Sequence, residues 1–230
     1  MRSVRWPTAD VPARKRQRQA SARFSDVFVA VDVVQSHTIA FPQKTVTPTQ
    51  KAERERSDCQ MIGDELRRVS SGPMEGDKSG GVGSVRFVVP CQGDAALVLA
   101  RAKSVLTIIL QQQGENWPSF ERWSQLLPKW FVEKCAPETT SEEALKKLAA
   151  RRTLPADERA RLVREEPWEL ADWIHWFEPD DRCWFWWDGA VVDENHLLVA
   201  VEIMEWPFPW GSLAWLFRAA GAVSVAPEKD

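Results

Sequence analysis

Nine of the chain's thirteen tryptophans fall between Trp168 and Gly221: Trp168, Trp173, Trp176, Trp184, Trp186, Trp187, Trp206, Trp210 and Trp215. A buried indole removes about 150–250 Å² from water, so a few anchor a small core. A domain of modest size has limited interior, and so many indoles must supply most of its core and some of its surface. This stretch therefore fixes where the folded domain lies.

Its pattern is helix, hairpin, helix. Leu170, Trp173, Ile174 and Phe177 recur at i, i+3, i+4 and i+7, which predicts a helix near 167–177 with Pro167 in its first turn. Residues 182–192 and 196–204 alternate as two antiparallel strands. Cys183, Phe185 and Trp187 share one face of the first strand. Leu197, Val199, Val201 and Ile203 share one face of the second. For both sets to face one core, the loop must be the three residues 193–195, with Trp187 opposite Val201 and Phe185 opposite Ile203. A two-residue turn separates the sets, and a bulge at Gly189 would shift the pairing. The reverse face then carries Trp184 and Trp186, with Trp186 opposite Glu202. The proline-flanked turn from Trp206 to Trp210 leads to a helix near 212–220, stopped by Gly221.

Upstream, a strand is predicted near 84–89 and helices near 95–112, 119–127, 141–151 and 155–165, with one helical turn about Phe131. Asp94 and Ser119 suit N-caps, and Thr140 with Glu143 forms a capping box. The expected fold is α+β over residues 84–222, a short antiparallel sheet packed by helices. Residues 1–83 contain one strand-like piece, Phe24 to Val34, in a setting rich in Pro, Ser, Gly and charge. They are expected to be a largely disordered basic, low-complexity region ending in a linker at 75–84, and 223–230 a flexible tail. Met61 and Met74 are alternative starts, so residues 1–73 need not belong to the native protein.

The net charge is -3, and the basic excess is confined to residues 1–23. Nucleic acid is therefore expected only through that arm, whose default reading is a solvated tail. No apolar run reaches the ~18 residues of a membrane span. The cysteines Cys59, Cys91, Cys135 and Cys183 form no C-x-x-C pair, and residues 1–23, polar and basic, show no hydrophobic core of a signal peptide. The expectation is a cytoplasmic protein with reduced thiols and no membrane partner. No phosphate loop, dinucleotide fingerprint or nucleophile elbow occurs, and no cofactor is expected.

Acids crowd 178–205, with Arg182 as their sole Arg or Lys. Paired carboxylates can do acid–base work or bind a metal, but Glu178-Pro179-Asp180-Asp181 lacks calcium-loop spacing. His37, His175 and His196 have no spacing that makes them converge, and Cys183 falls on the apolar face, where a thiol is inert. No catalytic or metal-binding residue is assigned. The expected function is binding of a protein by an inhibitor- or immunity-like module, and an acidic aromatic face fits a basic partner. Its surface would comprise Trp184, Trp186, Glu202, Trp206 and Trp210. Two alternatives stand beside it. One is a hydrolase using Glu178, Asp180, Asp181 or His196 in a Trp-lined cleft; the other is a Trp platform for sugars or small ligands.

Overall fold

A four-stranded antiparallel sheet in the order β2-β3-β1-β4 organises the computed structural model, which describes residues 48–114 and 116–229 without the side chains of 48–59 and Val163. The strands are β1 (Gly83–Pro90), β2 (Trp184–Asp193), β3 (His196–Ile203) and β4 (Ala226–Pro227). The helices are α1 (Pro48–Ser71), α2 (Ala95–Gln111), α3 (Phe120–Leu126), α4 (Lys129–Val132), α5 (Ser141–Arg152), α6 (Ala156–Glu165), α7 (Leu170–His175) and α8 (Gly211–Ala220). The fold is α+β, as the periodicities predict. Asp94 caps α2 through the Leu97 amide at 2.9 Å, Ser119 caps α3, and Thr140 with Glu143 closes a capping box on α5. The expected strand at Phe24 to Val34, the basic arm and His37 lie outside the described residues.

The helix expected from Pro167 begins three residues later, at Leu170. Its would-be first turn is extended instead, because the Ala136 amide donates to the Trp168 carbonyl and Ala136 bridges Glu169. The apolar stripe is as expected: Leu170, Trp173, Ile174 and Phe177 are all buried.

The hairpin departs from the expected register. It closes with a two-residue turn, Glu194-Asn195, flanked by the Asp193–His196 pair. Asp193 shapes this turn, its carboxylate accepting from the Asn195 amide at 2.8 Å. A bulge at Val192 then restores the expected pairing, Val191 with Leu197 and Gly189 with Val199. A second bulge at Trp187 shifts it again, setting Trp186 opposite Val201 and Trp184 opposite Ile203. Each extra residue in β2 flips which of its side chains face inward. The core face of β3 stays as expected, but on β2 it is Trp184 and Trp186 that point into the core, not Phe185 and Trp187. Trp186 stacks on Phe217 of α8 with centroids 6.3 Å apart, and Trp184 donates to Ser212 Oγ at 3.0 Å. Gly189 makes room for this packing, since a Cβ there would lie 2.6 Å from Trp186 Cζ2. The bulge falls two residues from the anticipated glycine.

The described fold includes a helix upstream of residue 84. Residues 48–71, placed by sequence in a disordered region, form the long helix α1, which packs against β2 and α2. Its buried positions include two charged residues. Glu65 Oε1 accepts from Arg182 Nη2 and from the Trp186 amide, each at 2.5 Å. Arg68 donates to the Trp186 carbonyl at 3.2 Å and reaches Glu202 at 3.5 Å. β2 is an edge strand, and α1 thus occupies the main-chain amide and carbonyl of Trp186 that would otherwise invite another strand. The expected linker is anchored too: Asp77 binds Arg67 at 2.6 Å and the Met74 amide at 2.8 Å, and the Gly80 amide donates to Glu202. The expected flexible tail supplies β4 and an Arg86–Glu228 ion pair.

Both members of the Glu65–Arg182 pair are fully buried. Removing one partner of such a pair costs about 3–5 kcal/mol, because the other charge is left stranded. Glu65→Gln and Arg182→Met should each lower unfolding free energy by that order in urea titrations followed by tryptophan fluorescence. The double variant Glu65→Leu/Arg182→Met should lose less than either single change. A double variant as weak as the sum of the two would show that the ion pair does not couple α1 to the sheet.

Candidate functional site

The five residues expected to form a recognition surface separate into core and surface. Trp184, Trp186 and Glu202 are buried. The Trp187 bulge removes the two indoles from the surface, and Glu202 is held by Arg68 and Gly80. Trp210 is half-buried, its ring 5.3 Å from that of Phe87. Trp206 remains at 61 % exposure, and among the described residues it is the exposed tryptophan.

Trp206 stands at the end of the sheet where β2 begins and β3 finishes. Trp184 pairs with Ile203, the Met204 amide donates to the Cys183 carbonyl, and the Val82 amide donates to the Ile203 carbonyl. This ladder end brings Val82, at 70 % exposure, beside Met204, at 43 %, with Trp206 two residues further on. The turn is held from below: Phe208 is buried and packs on Phe87, with Trp206 6.1 Å from Phe208. Pro207 and Pro209 fix φ on both sides of Phe208, so the outward indole sits on a restricted backbone. Glu205, next to it in sequence, is exposed, and Asp180 and Asp181 are exposed in the turn before β2. Sequence reasoning found Trp206 but missed Val82 and Met204. Their exposure follows from where the ladder stops, which alternation within a strand does not show.

The remaining candidates disperse. His196 pairs with Asp193 at 2.9 Å at the hairpin turn, and hydrogen bonds from the Asn195 amide and then from His196 hold the Asp193 carboxyl below its usual range. Asp180 and Asp181 precede the other end of β2, roughly 30 Å away at the rise of an extended strand. His196 therefore does not meet the acids Glu178, Asp180 and Asp181 of the expected hydrolase site. A cavity of about 420 Å³ lies between α5, α6 and Pro167, lined by Lys147, Arg151, Leu154 and Leu162 among others, with no tryptophan and none of those acids. His175 converges with Glu178 and Asp181, its Nδ1 lying 3.3 Å and 3.8 Å from their carboxylates.

Among the described residues, no helix is long and apolar enough to cross a membrane. Burial pushes the Cys135 and Cys183 thiols up to about 11, with Glu205 adding to the effect at Cys183, and burial also raises Cys91. Thiolate is the reactive form, so these sulfurs are poor nucleophiles at neutral pH. No family model, curated protein or solved structure matches the chain.

In a Cys59→Ser variant of the folded protein at pH 7.5, a disulfide thiol reagent should label Cys91, Cys135 and Cys183 slowly, and all three promptly once guanidinium unfolds the chain. Prompt labelling of Cys183 in the folded state would contradict its burial beneath the Trp206 turn.

Proposed function

We propose that the protein is a binding module that recognises a basic protein through the sheet end marked by Trp206. One observation carries this reading. Among the described residues a single exposed indole, on a proline-restricted turn with a buried foot, stands at the sheet end that also exposes Val82 and Met204, with Glu205 next to it in sequence and Asp180 and Asp181 exposed in the turn before β2. Tryptophan is enriched at interface hot spots because it presents a large, rigid contact area. An anchored turn loses little freedom on binding, so more of the contact energy becomes affinity. Carboxylates around an apolar centre select a partner of positive charge and speed its encounter. Of the expected surface residues Trp206 remains exposed, with Phe208 packed beneath it and Trp210 half-buried, and the acids invoked here are Glu205, Asp180 and Asp181 in place of the buried Glu202.

The reading is tested by capturing partners on the full chain, purifying a captured basic protein and measuring its affinity directly. Trp206→Ala should weaken that complex about 30-fold or more, the loss of a hot-spot residue worth ≥ 2 kcal/mol. Glu205→Lys should weaken it in a salt-sensitive manner, whereas Leu145→Ala, on the exposed face of α5, should leave it unchanged. Equal affinity in the Trp206→Ala variant, or a Trp206-dependent complex formed only with an oligosaccharide, would overturn it.

A further inference from the structure

We infer that His175, Glu178 and Asp181 form a site for a divalent transition-metal ion of the zinc class. The three lie at a spacing of three residues where α7 ends. The backbone there continues in tight turns, the Glu178 amide donating to the His175 carbonyl at 3.0 Å and the Asp181 amide to the Glu178 carbonyl at 3.0 Å. Bonds of this i→i+3 kind eclipse every third side chain, so one imidazole and two carboxylates stack on one side of the turn. Their donor atoms all lie within 4.8 Å of one another.

The separations match what a shared ion requires. Zinc bonds of about 2.1 Å to nitrogen and oxygen place two donors about 3.0 Å apart at a right angle and about 3.4 Å apart in a tetrahedron. His175 Nδ1 stands 3.3 Å from Glu178 Oε1 and 3.8 Å from Asp181 Oδ2, so closure onto an ion takes only small rotations. The frame is fixed at both flanks. Phe177 is buried, with its carbonyl accepting from Gln113 at 2.7 Å, and Arg182 is locked onto Glu65.

The charges favour an ion over a simple pair. Two carboxylates converge on one ring nitrogen, and a single imidazolium would cancel one of them. Arg182, the neighbouring guanidinium in sequence, is buried against Glu65 and faces away from this task. Mixed imidazole and carboxylate donors suit zinc, manganese or cobalt over the all-oxygen sites of calcium and magnesium. Three protein ligands in an exposed setting leave further positions to water or to a ligand from outside.

The test uses the metal alone with the full chain carrying Cys59→Ser and His37→Ala, which removes the one thiol and the one imidazole outside the described side chains. Zinc calorimetry should show one-to-one uptake, and cobalt should report nitrogen–oxygen coordination in its visible absorption. His175→Ala, and separately Glu178→Gln/Asp181→Asn, should each weaken uptake at least about tenfold, while His196→Ala leaves it intact. These side chains are exposed or half-buried, so circular dichroism should be unchanged. No one-to-one uptake at millimolar zinc, or uptake that survives either substitution, would overturn the site and show His175 to be only an ion-pair partner. Asp181 belongs to both readings, but the Trp206→Ala and Glu205→Lys tests are run without metal, so failure of one is distinguishable from failure of the other.

Discussion

The buried carboxylate of Glu65 is the contact on which the arrangement of this domain depends. One of its oxygens receives a guanidinium from the start of the hairpin and a peptide amide from the middle of an edge strand. Those two donors come from Arg182 and Trp186, and the acceptor from a helix more than a hundred residues earlier. Burying a charge is costly unless it is paired and hydrogen-bonded, and here pairing and bonding are supplied by different elements at once. The apolar neighbours Leu66 and Val69 would let α1 settle on the sheet in several ways. The carboxylate admits one, because only one placement satisfies both donors. Arg68 repeats the logic on the carbonyl side of the same residue.

The Trp187 bulge belongs to the same device. Without the extra residue, Phe185 and Trp187 would face inward and the two neighbouring indoles outward, toward the charged network. With it, Trp184 and Trp186 enter the core, and Phe185 and Trp187 lie under guanidinium groups. Arg182 sits 4.6 Å from the Phe185 ring, and Arg68 sits 4.8 Å from that of Trp187. A ring face attracts a cation, so these rings line the charges that hold α1. The core gains two large side chains, of which Trp184 also finds a hydrogen-bond partner. The local break in the ladder is thereby tied to the docking of a helix.

Much of this was legible in the sequence, for reasons that also mark its limits. Helices α2, α3, α5 and α8 announce themselves through caps and regular apolar spacing, and the stripe on α7 is clear even though its start is not. Helix α1 was hidden. Its inward stripe runs Ile62, Glu65, Leu66, Val69, a helical spacing whose most buried member is a glutamate, and binary patterning reads that position as solvent. The stop signal was nonetheless present: Gly72, at φ 78°, followed by Pro73. The hairpin register failed for a related reason. Alternation fixes pairing only where no residue is inserted, and Trp-Phe-Trp-Trp is apolar in either register, so nothing in it reports a bulge. The candidate site suffered accordingly. Parity points Trp184 and Trp186 outward and the bulge turns them in; Glu202 keeps its expected face but is covered by Arg68 and Gly80, whereas Trp206 lies beyond the ladder.

The inward commitment of Arg182 also shapes the surface. From Glu178 to Glu205 it is the sole Arg or Lys, and the fold turns its charge into the interior. The acids around the sheet end therefore face water without the cation that sequence places among them. An isolated surface acid is well solvated and asks for nothing, but several brought together by a turn and a ladder end repel one another. That repulsion lowers the cost of bringing in positive charge from outside, whether on a protein or on an ion. The sheet end thus owes its character to an interaction on the opposite side of β2. Because Glu65 holds Arg182 in the interior, its charge is not offered to the exposed Asp180, Asp181 and Glu205.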